Sequence, residues 1–249
     1  MQKIYLESCE STNDVAMNLA REGCEHGTAV IAKEQTRGKG RLGRAWESFE
    51  GNLAMSIVVR PKLDLNLAYR LVGLSAYATV YALENRGVQA YIKWPNDILI
   101  APPGARSVEK LGPFRKVGGI LLEMLGSNGR LEAAVIGIGL NLRTPPENQR
   151  HLILPQMGFV DIEVESFTSE LLSSLEFYLP LAQDQKEYLS VLAKISSRSA
   201  FLGREVKVDS GLRTVKGVVK DLLPDGGLLL STTDGEESIY VGDVSLTDA

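Results

Sequence analysis

Apolar residues along this chain fall at helical spacing in some stretches and at strand spacing in others. A first helix is predicted where Val15, Met17 and Leu19 follow a capping sequence and Gly23 ends the pattern. Helical spacing also predicts helices over residues 65–85, 167–178 and 185–195. Strand-like runs are predicted over residues 28–34, 53–59, 90–93, 97–100, 117–125 and 131–142, with Ser127-Asn128-Gly129 as a hairpin turn. Strands interleaved with helices predict an α/β (α+β) fold, in which helices pack on a mixed central sheet.

The pattern changes near residue 203, where short strands follow one another without a helix. These strands are predicted over residues 205–208, 214–222, 228–230 and 237–241, with Ser210-Gly211 and Asp225-Gly226-Gly227 as turns. Such spacing predicts a small C-terminal β-barrel. We therefore predict two domains, residues 1–198 and 199–249. The Pro- and Gly-bearing segments 101–115 and 144–161 are predicted to be a loop and an irregular stretch.

Composition indicates an ordinary soluble protein. The chain has 249 residues, of which 44% are hydrophobic and 23% charged, and no apolar run reaches the roughly 18 residues that suggest a membrane span. The net charge of −4 gives no global positive field for nucleic acid. Cys9 and Cys24 match no metal or redox spacing, and two histidines, His26 and His151, argue against a histidine-rich metal centre or a Ser-His-Asp triad. We expect a cytoplasmic protein.

The most informative segment runs from Arg37 to Trp46, with the sequence R-G-K-G-R-L-G-R-A-W. Its glycines let successive backbone N–H groups converge on an anion, and its four cations add charge-assisted hydrogen bonds. Its spacing matches neither a Walker loop nor a dinucleotide-binding turn. The segment therefore predicts a mobile loop that holds phosphate or carboxylate groups.

Further segments place polar side chains at the ends of predicted elements. They are Ser11-Thr12-Asn13, Lys93-Trp94-Pro95-Asn96-Asp97, Lys116-Val117-Gly118-Gly119-Ile120 and Gly137-Ile138-Gly139-Leu140-Asn141. Taken alone, each also has a purely structural interpretation: a helix cap, a turn, a solvated charge or a relief of crowding. A lone Trp46 is likewise compatible with an ordinary core position.

Taken together and in this order, the segments resemble the biotin protein ligase family. The matching sequences are E-S-T-N from Glu10, Q-T-R-G-K-G-R-L-G-R from Gln35, K-W-P-N-D from Lys93, K-V-G-G-I-L from Lys116 and G-I-G-L-N from Gly137. The C-terminal β domain fits the SH3-like module of such ligases. The resemblance implies a two-step reaction, in which biotin and ATP form biotinyl-5′-AMP and a lysine of a biotin carboxyl carrier protein then accepts the biotin.

Carried over by position, the resemblance implies a biotin site formed by Ser11, Thr12, Asn13, Gln35, Lys39, Gly40, Arg41 and Lys116. It implies an ATP site formed by Arg41, Arg44, Trp46, Asn96, Lys116 and Asn141. Arg41, Lys116 and Asp97 are the expected catalytic residues, with Asp97 helping to remove the proton of the acceptor lysine. Mg²⁺ is expected because it bridges phosphate oxygens in such transfers, and no metal ligand is assigned.

The chain departs from the family pattern at Lys39, where the loop commonly has arginine, so that contact loses the bidentate fork. Only nine residues precede Glu10-Ser11, so we expect the short form without an N-terminal DNA-binding domain, no DNA partner and no membrane partner. Dimerisation is left open. The competing interpretations are a lipoate- or octanoate-handling ligase, a catalytically inactive biotin sensor and a nucleic-acid-binding module.

Overall fold

The computed structural model describes residues 1–101, 114–145, 147 and 157–247. Its strands and helices, in chain order, are β1 (Lys3–Cys9), α1 (Thr12–Arg21), β2 (Thr28–Gln35), β3 (Leu53–Val59), α2 (Tyr69–Asn85), β4 (Ala90–Lys93), β5 (Asp97–Ile100), β6 (Arg115–Ser127), β7 (Arg130–Leu140), α3 (Val164–Tyr178), α4 (Gln185–Ser197), β8 (Glu205–Asp209), β9 (Thr214–Leu222), β10 (Leu228–Thr232), β11 (Gly235–Ile239) and β12 (Asp243–Leu246).

A seven-stranded sheet organises the larger part of the molecule. Its strand order is β1-β2-β3-β7-β6-β5-β4, with β1 parallel to β2 and the remaining neighbours antiparallel. The predicted mixed central sheet with packed helices is therefore confirmed.

The central strands are buried on both faces, so their residues read as continuous apolar runs. Val30, Val58 and Val135 pack against α1 on one face. The alternate residues of the same strands, such as Ile31 and Ile57, belong to the main core on the opposite face, where α2, α3 and α4 lie. Helix α1 is thus alone among the described helices on its face, and it leaves the rest of that face open for a site.

The C-terminal strands form a second, antiparallel sheet in the order β11-β10-β9-β8-β12. Hydrogen bonds link this sheet to the first part of the chain: the Trp94 indole donates to the Gly226 carbonyl at 2.9 Å and the Arg70 Nε to the Pro224 carbonyl at 3.0 Å. The predicted C-terminal β domain is confirmed, although its edge strands β11 and β12 are not paired into a closed barrel. The boundary between residues 198 and 199 stays a prediction.

Strands β1 and β12, which lie at sheet edges, were not predicted from the sequence. No residue of β1 is fully buried and β12 has only four residues, so neither forms an extended apolar run. Helix α2 begins at Tyr69 rather than at residue 65, since Leu65–Leu67 forms a separate 3-10 turn. The loop predicted over 101–115 and the irregular stretch predicted over 144–161 lie mostly outside the described residues. Among those that are described, no helix is both long and apolar enough to cross a membrane.

Replacing Arg70 by alanine is expected to destabilise the protein. The Arg70 guanidinium is buried, donates to the carbonyls of Ala182 and Pro224, and lies 4.5 Å from the centre of the Tyr188 ring. Without it those acceptors stay buried and unpaired, so the free energy of unfolding should fall by about 2–3 kcal/mol in urea titration. Arg86, at the end of the same helix, forms a half-exposed pair with Glu170, and Arg86→Ala should cost less than about 1 kcal/mol. Equal losses for the two variants would contradict this role of Arg70.

Candidate functional site

A cavity of about 120 Å³ lies on the α1 face of the large sheet. It brings together every site residue predicted from the sequence except Asn141: Ser11, Thr12, Asn13, Gln35, Lys39, Gly40, Arg41, Arg44, Trp46, Asn96, Asp97 and Lys116. Asn141 is buried just beyond β7, where its backbone N–H donates to the Val117 carbonyl at 2.7 Å. It does not belong to the described residues that line the cavity, and its role at a nucleotide stays a prediction.

Glycines on β7 form the floor of the cavity. A Cβ atom on Gly137 would lie 2.1 Å from the Asn13 Oδ1, and a Cβ atom on Gly139 would lie 2.5 Å from the Cε2 of the Trp46 indole. Both distances are far below van der Waals contact, so the start of α1 and the Trp46 ring can rest on the sheet only because these positions lack side chains.

One end of the cavity is polar and uncharged. Ser11 occupies the N-cap position of α1, but its hydroxyl makes no capping hydrogen bond with the helix. The Gln35 Oε1 accepts from the backbone N–H of Thr12 at 2.8 Å and lies 3.0 Å from the Thr12 hydroxyl, and the Gln35 Nε2 donates to Ser48 at 3.1 Å. These bonds fix the direction of the Gln35 amide. This end suits a neutral head group with its own donors and acceptors.

The Gly-rich loop folds over the cavity as a tight turn. The Gly40 N–H donates to the Arg44 carbonyl at 2.7 Å, the Trp46 N–H donates to the Gly38 carbonyl at 2.9 Å, and Leu42 takes a left-handed φ of 55°. The turn is therefore held by backbone bonds, which leaves its cationic side chains available for contacts outside it.

Each cation of the loop that lines the cavity contacts a partner on another element. Lys39 pairs with Asp14 of α1, Arg44 pairs with Asp243 of β12, and the Arg41 guanidinium donates to the Asn96 Oδ1 at 3.0 Å. Asp243, which comes from the C-terminal sheet and lines the cavity, was not predicted from the sequence. No local pattern in the sequence reveals that β12 returns to the region of the loop.

A second group of charges lies where β5 meets β6. The Lys116 Nζ is 2.5 Å from the Asp97 Oδ1 and 5.7 Å from the centre of the Trp46 ring, and the Lys93 Nζ is 3.6 Å from the other Asp97 oxygen. Asn96 is fixed beside them, because its Nδ2 donates to the Ile120 carbonyl at 2.7 Å. Lys116 and Arg41 thus face the same cavity, at the end opposite the neutral pocket.

The arrangement can bind an elongated molecule with a neutral polar head and an anionic end. The cations can offset the charge of a carboxylate and of phosphates at the same time, which is the electrostatic requirement for joining two anions. Among the described residues there is no cluster of three or more His, Cys, Asp or Glu side chains placed to hold a metal ion.

The Arg44–Asp243 pair also affects proton equilibria. The Arg44 guanidinium holds the pKa of the Asp243 carboxyl below its usual range, through their hydrogen bond and charge, against the opposing effect of partial burial. The carboxylate in turn raises the pKa of Arg44. The link between loop and C-terminal sheet therefore persists throughout the neutral range.

Two family profiles match the chain. Residues 5–141 match the biotin/lipoate A/B protein ligase family, and residues 201–247 match the biotin protein ligase C terminal domain. The first match covers the whole cavity apart from Asp243, and the second contains Asp243.

Individual relatives align over nearly the full chain. The bifunctional ligase/repressor BirA of Bacillus subtilis is 30% identical over 98% of this chain and 73% of its own length. The biotin–[acetyl-CoA-carboxylase] ligase of Paracoccus denitrificans is 29% identical over 96% of this chain and 98% of its own. The biotin protein ligase of Aquifex aeolicus, solved in complex with biotin and ATP, superposes with a TM-score of 0.74 at 29% identity, covering 98% of this chain and 97% of that one.

Removing the charge of Asp243 should loosen the loop. In Asp243→Asn the Arg44 partner is lost, so trypsin should cleave after the basic residues between Arg37 and Arg44 severalfold faster, as measured by mass spectrometry of the fragments. Glu237→Gln removes a carboxylate that pairs with Arg213 elsewhere in the same sheet, and it should leave these cleavage rates unchanged. Unchanged cleavage in Asp243→Asn would show that the pair does not restrain the loop.

The same pair predicts a pH dependence with a definite sign. Because the folded-state pKa of Asp243 is lowered, its contribution to stability is present above the ordinary aspartate pKa and is lost as the pH falls through the lowered value. The pair is partly exposed, so the contribution is at most about 1 kcal/mol. The difference in thermal midpoint between the wild type and Asp243→Asn should therefore be small at neutral pH and vanish in acid. A difference that grows in acid would contradict this assignment.

Proposed function

The chain belongs to the biotin/lipoate A/B protein ligase family, and from that premise we propose that it is an ATP-dependent ligase that attaches biotin to a lysine of a biotin carboxyl carrier protein. One observation supports this most directly: a single cavity joins a neutral polar pocket to the cations Lys39, Arg41 and Lys116. The match of the C-terminal residues to the biotin protein ligase C terminal domain favours biotin over lipoate.

In the first step, a carboxylate oxygen of biotin attacks the α-phosphorus of ATP, and the bond to the pyrophosphate oxygen breaks. Lys116 and Arg41 offset the charges of the two reacting anions, and Lys39 adds a further point charge. The neutral pocket of Ser11, Thr12 and Gln35 holds the ureido ring, so that the carboxylate points toward these cations.

The nucleotide occupies the side of the cavity formed by the loop and the β4–β5 corner. The Trp46 ring stacks on adenine, and Arg44 contacts the phosphates once it is released from Asp243. Asn96 is already fixed by β6 and holds Arg41 in reach of the α-phosphate. Mg²⁺ enters as part of the Mg–ATP substrate, bound chiefly by phosphate and water oxygens.

In the second step, the amine of the acceptor lysine attacks the carbonyl of the mixed anhydride, an amide forms, and AMP leaves. Asp97 lies at the same corner and accepts the proton of the attacking amine. Closure of the Arg37–Trp46 loop excludes water, which would otherwise hydrolyse the anhydride. The carrier protein is the macromolecular partner in this proposal. DNA binding is not part of it, and dimerisation is left open.

Biotin-dependent exchange between ATP and pyrophosphate tests the first step. Exchange with biotin, and none with lipoate or octanoate, is the expected result. Exchange with lipoate or octanoate but not with biotin would show that the substrate is one of those acids and would overturn the proposal. Measurable biotin binding without exchange would make the protein a biotin sensor and overturn the mechanism.

Lys116→Ala and Arg41→Ala should each lower the exchange rate by at least about 100-fold, because each removes a charge that stabilises the developing transition state. Exchange kinetics at saturating biotin and ATP measure the effect. Lys62→Ala, outside the described lining of the cavity, serves as the matched control. A wild-type rate in either site variant would remove that residue from the mechanism.

Asp97→Asn should separate the two steps. Asparagine keeps the size of the side chain but cannot accept the amine proton, so transfer from preformed biotinyl-5′-AMP to the carrier should slow by about 100-fold or more. Adenylation should fall much less. Single-turnover measurements of each half-reaction decide this, and an equal loss in both would assign Asp97 only to the placement of Lys116.

A further inference from the structure

A chain of hydrogen bonds lies directly beneath the neutral pocket, and its central bonds are fully buried. Ser56, in the middle of β3, has no solvent exposure, and its hydroxyl lies 2.8 Å from the Thr12 hydroxyl and 2.6 Å from the Asn13 Oδ1. The Asn13 Nδ2 donates to the Glu123 carboxylate at 2.8 Å. Ser56 faces Gly137 across the strand pair β3–β7, which leaves room for Asn13 above the sheet.

The carboxylate of Glu123 gives this chain a direction. A carboxylate accepts hydrogen bonds and does not donate them, so the Asn13 amide must turn its NH₂ group toward Glu123. Its carbonyl oxygen then faces Ser56. Because a carbonyl oxygen has no proton, the Ser56 hydroxyl must be the donor in the 2.6 Å contact.

The direction passes on to Thr12. The single proton of Ser56 is used on Asn13, so the 2.8 Å contact between the two hydroxyls requires Thr12 to donate to Ser56. The Gln35 Oε1 is then not an acceptor for the Thr12 hydroxyl, and their 3.0 Å contact is the longest of the set. It still accepts a hydrogen bond from the Thr12 backbone N–H at 2.8 Å. The lone pairs of the Thr12 oxygen, whose residue lines the cavity, are then left to accept a proton.

We propose that Ser56 and Glu123 are positioning residues that make the Thr12 hydroxyl an acceptor for an N–H group of the bound acid. Asn13, which the family resemblance assigns to biotin, acts within this relay, because both ends of its amide are engaged by the protein. The inference rests on the proposed function, since the ureido ring of biotin carries such N–H groups. An acceptor at the Thr12 hydroxyl selects an acid with a ring N–H over an acid with a purely aliphatic or dithiolane end.

Ser56→Ala and Glu123→Gln test the relay. Alanine removes the hydroxyl that accepts from Thr12 and donates to Asn13. Glutamine can itself donate, so in Glu123→Gln the Asn13 amide no longer has a fixed orientation. Each variant should weaken biotin binding about tenfold, the effect of one lost hydrogen bond, as measured by calorimetry. The Kd for ATP and the exchange rate at saturating biotin should stay within about twofold of the wild type, which a merely structural defect would not allow. The double variant should be no weaker than the worse single variant, because both act through one chain.

Two further variants make the test decisive. Ser56→Thr keeps a hydroxyl and should restore most of the biotin affinity. Glu132→Gln makes the same change to a carboxylate that bonds Ser127 on the same hairpin and should have no effect. Wild-type biotin affinity in both Ser56→Ala and Glu123→Gln overturns the relay, as does an equal loss for ATP or an equal loss in Glu132→Gln. Calorimetry reports on the relay, and pyrophosphate exchange reports on the proposed function. Biotin binding without exchange would therefore overturn the proposed function and still allow the relay to be tested.

Discussion

The site depends on a steric constraint: two positions on the central strand β7 must lack side chains. Gly137 makes room for Asn13 at the start of α1, and Gly139 makes room for the Trp46 ring. Any Cβ atom at these positions would lift the helix start or the aromatic ring off the sheet. The neutral pocket and the nucleotide side are thus positioned by two glycines on the same face of one strand. The distance between the two parts of the site is set by the repeat of that strand.

Charge neutralisation is the second organising feature. Lys39, Arg44 and Lys116 are each paired with a carboxylate from another element, namely Asp14, Asp243 and Asp97. These pairs hold the cations near the cavity before any substrate arrives. The pairs of Lys39 and Arg44 are partly exposed, so each is worth at most about 1 kcal/mol. A substrate carboxylate or phosphate that enters the cavity can therefore displace Asp14 from Lys39 and Asp243 from Arg44 at little cost in free energy. Breaking these pairs therefore subtracts little from the free energy of substrate binding.

The sequence predicts much of this site because its members occur in short, recognisable segments. Helical and strand spacing predicted α1 and the strands from β2 to β7. The five matching segments contain eleven of the twelve candidate residues that line the cavity, and Trp46 is the exception. The edge strands β1 and β12 were missed because β1 has no fully buried residue and β12 has only four residues. Ser56 and Glu123 were also missed. A serine within an apolar strand and a glutamate near a hairpin are ordinary in the sequence, and only the strand register shows that they lie beside Asn13.

Asp243 shows why the C-terminal sheet belongs to the account of the site. It lies nearly 200 residues after Arg44 in the chain, yet their side chains pair at the rim of the cavity. The sheet that carries it is fastened independently of the loop, through Trp94 to Gly226 and through the buried Arg70 to Pro224. Trp94 itself belongs to the corner that presents Asn96 and Asp97. A displacement of the C-terminal sheet would therefore reach the cavity by two routes, through the loop and through the β4–β5 corner, and we infer that the two sheets position the catalytic groups jointly.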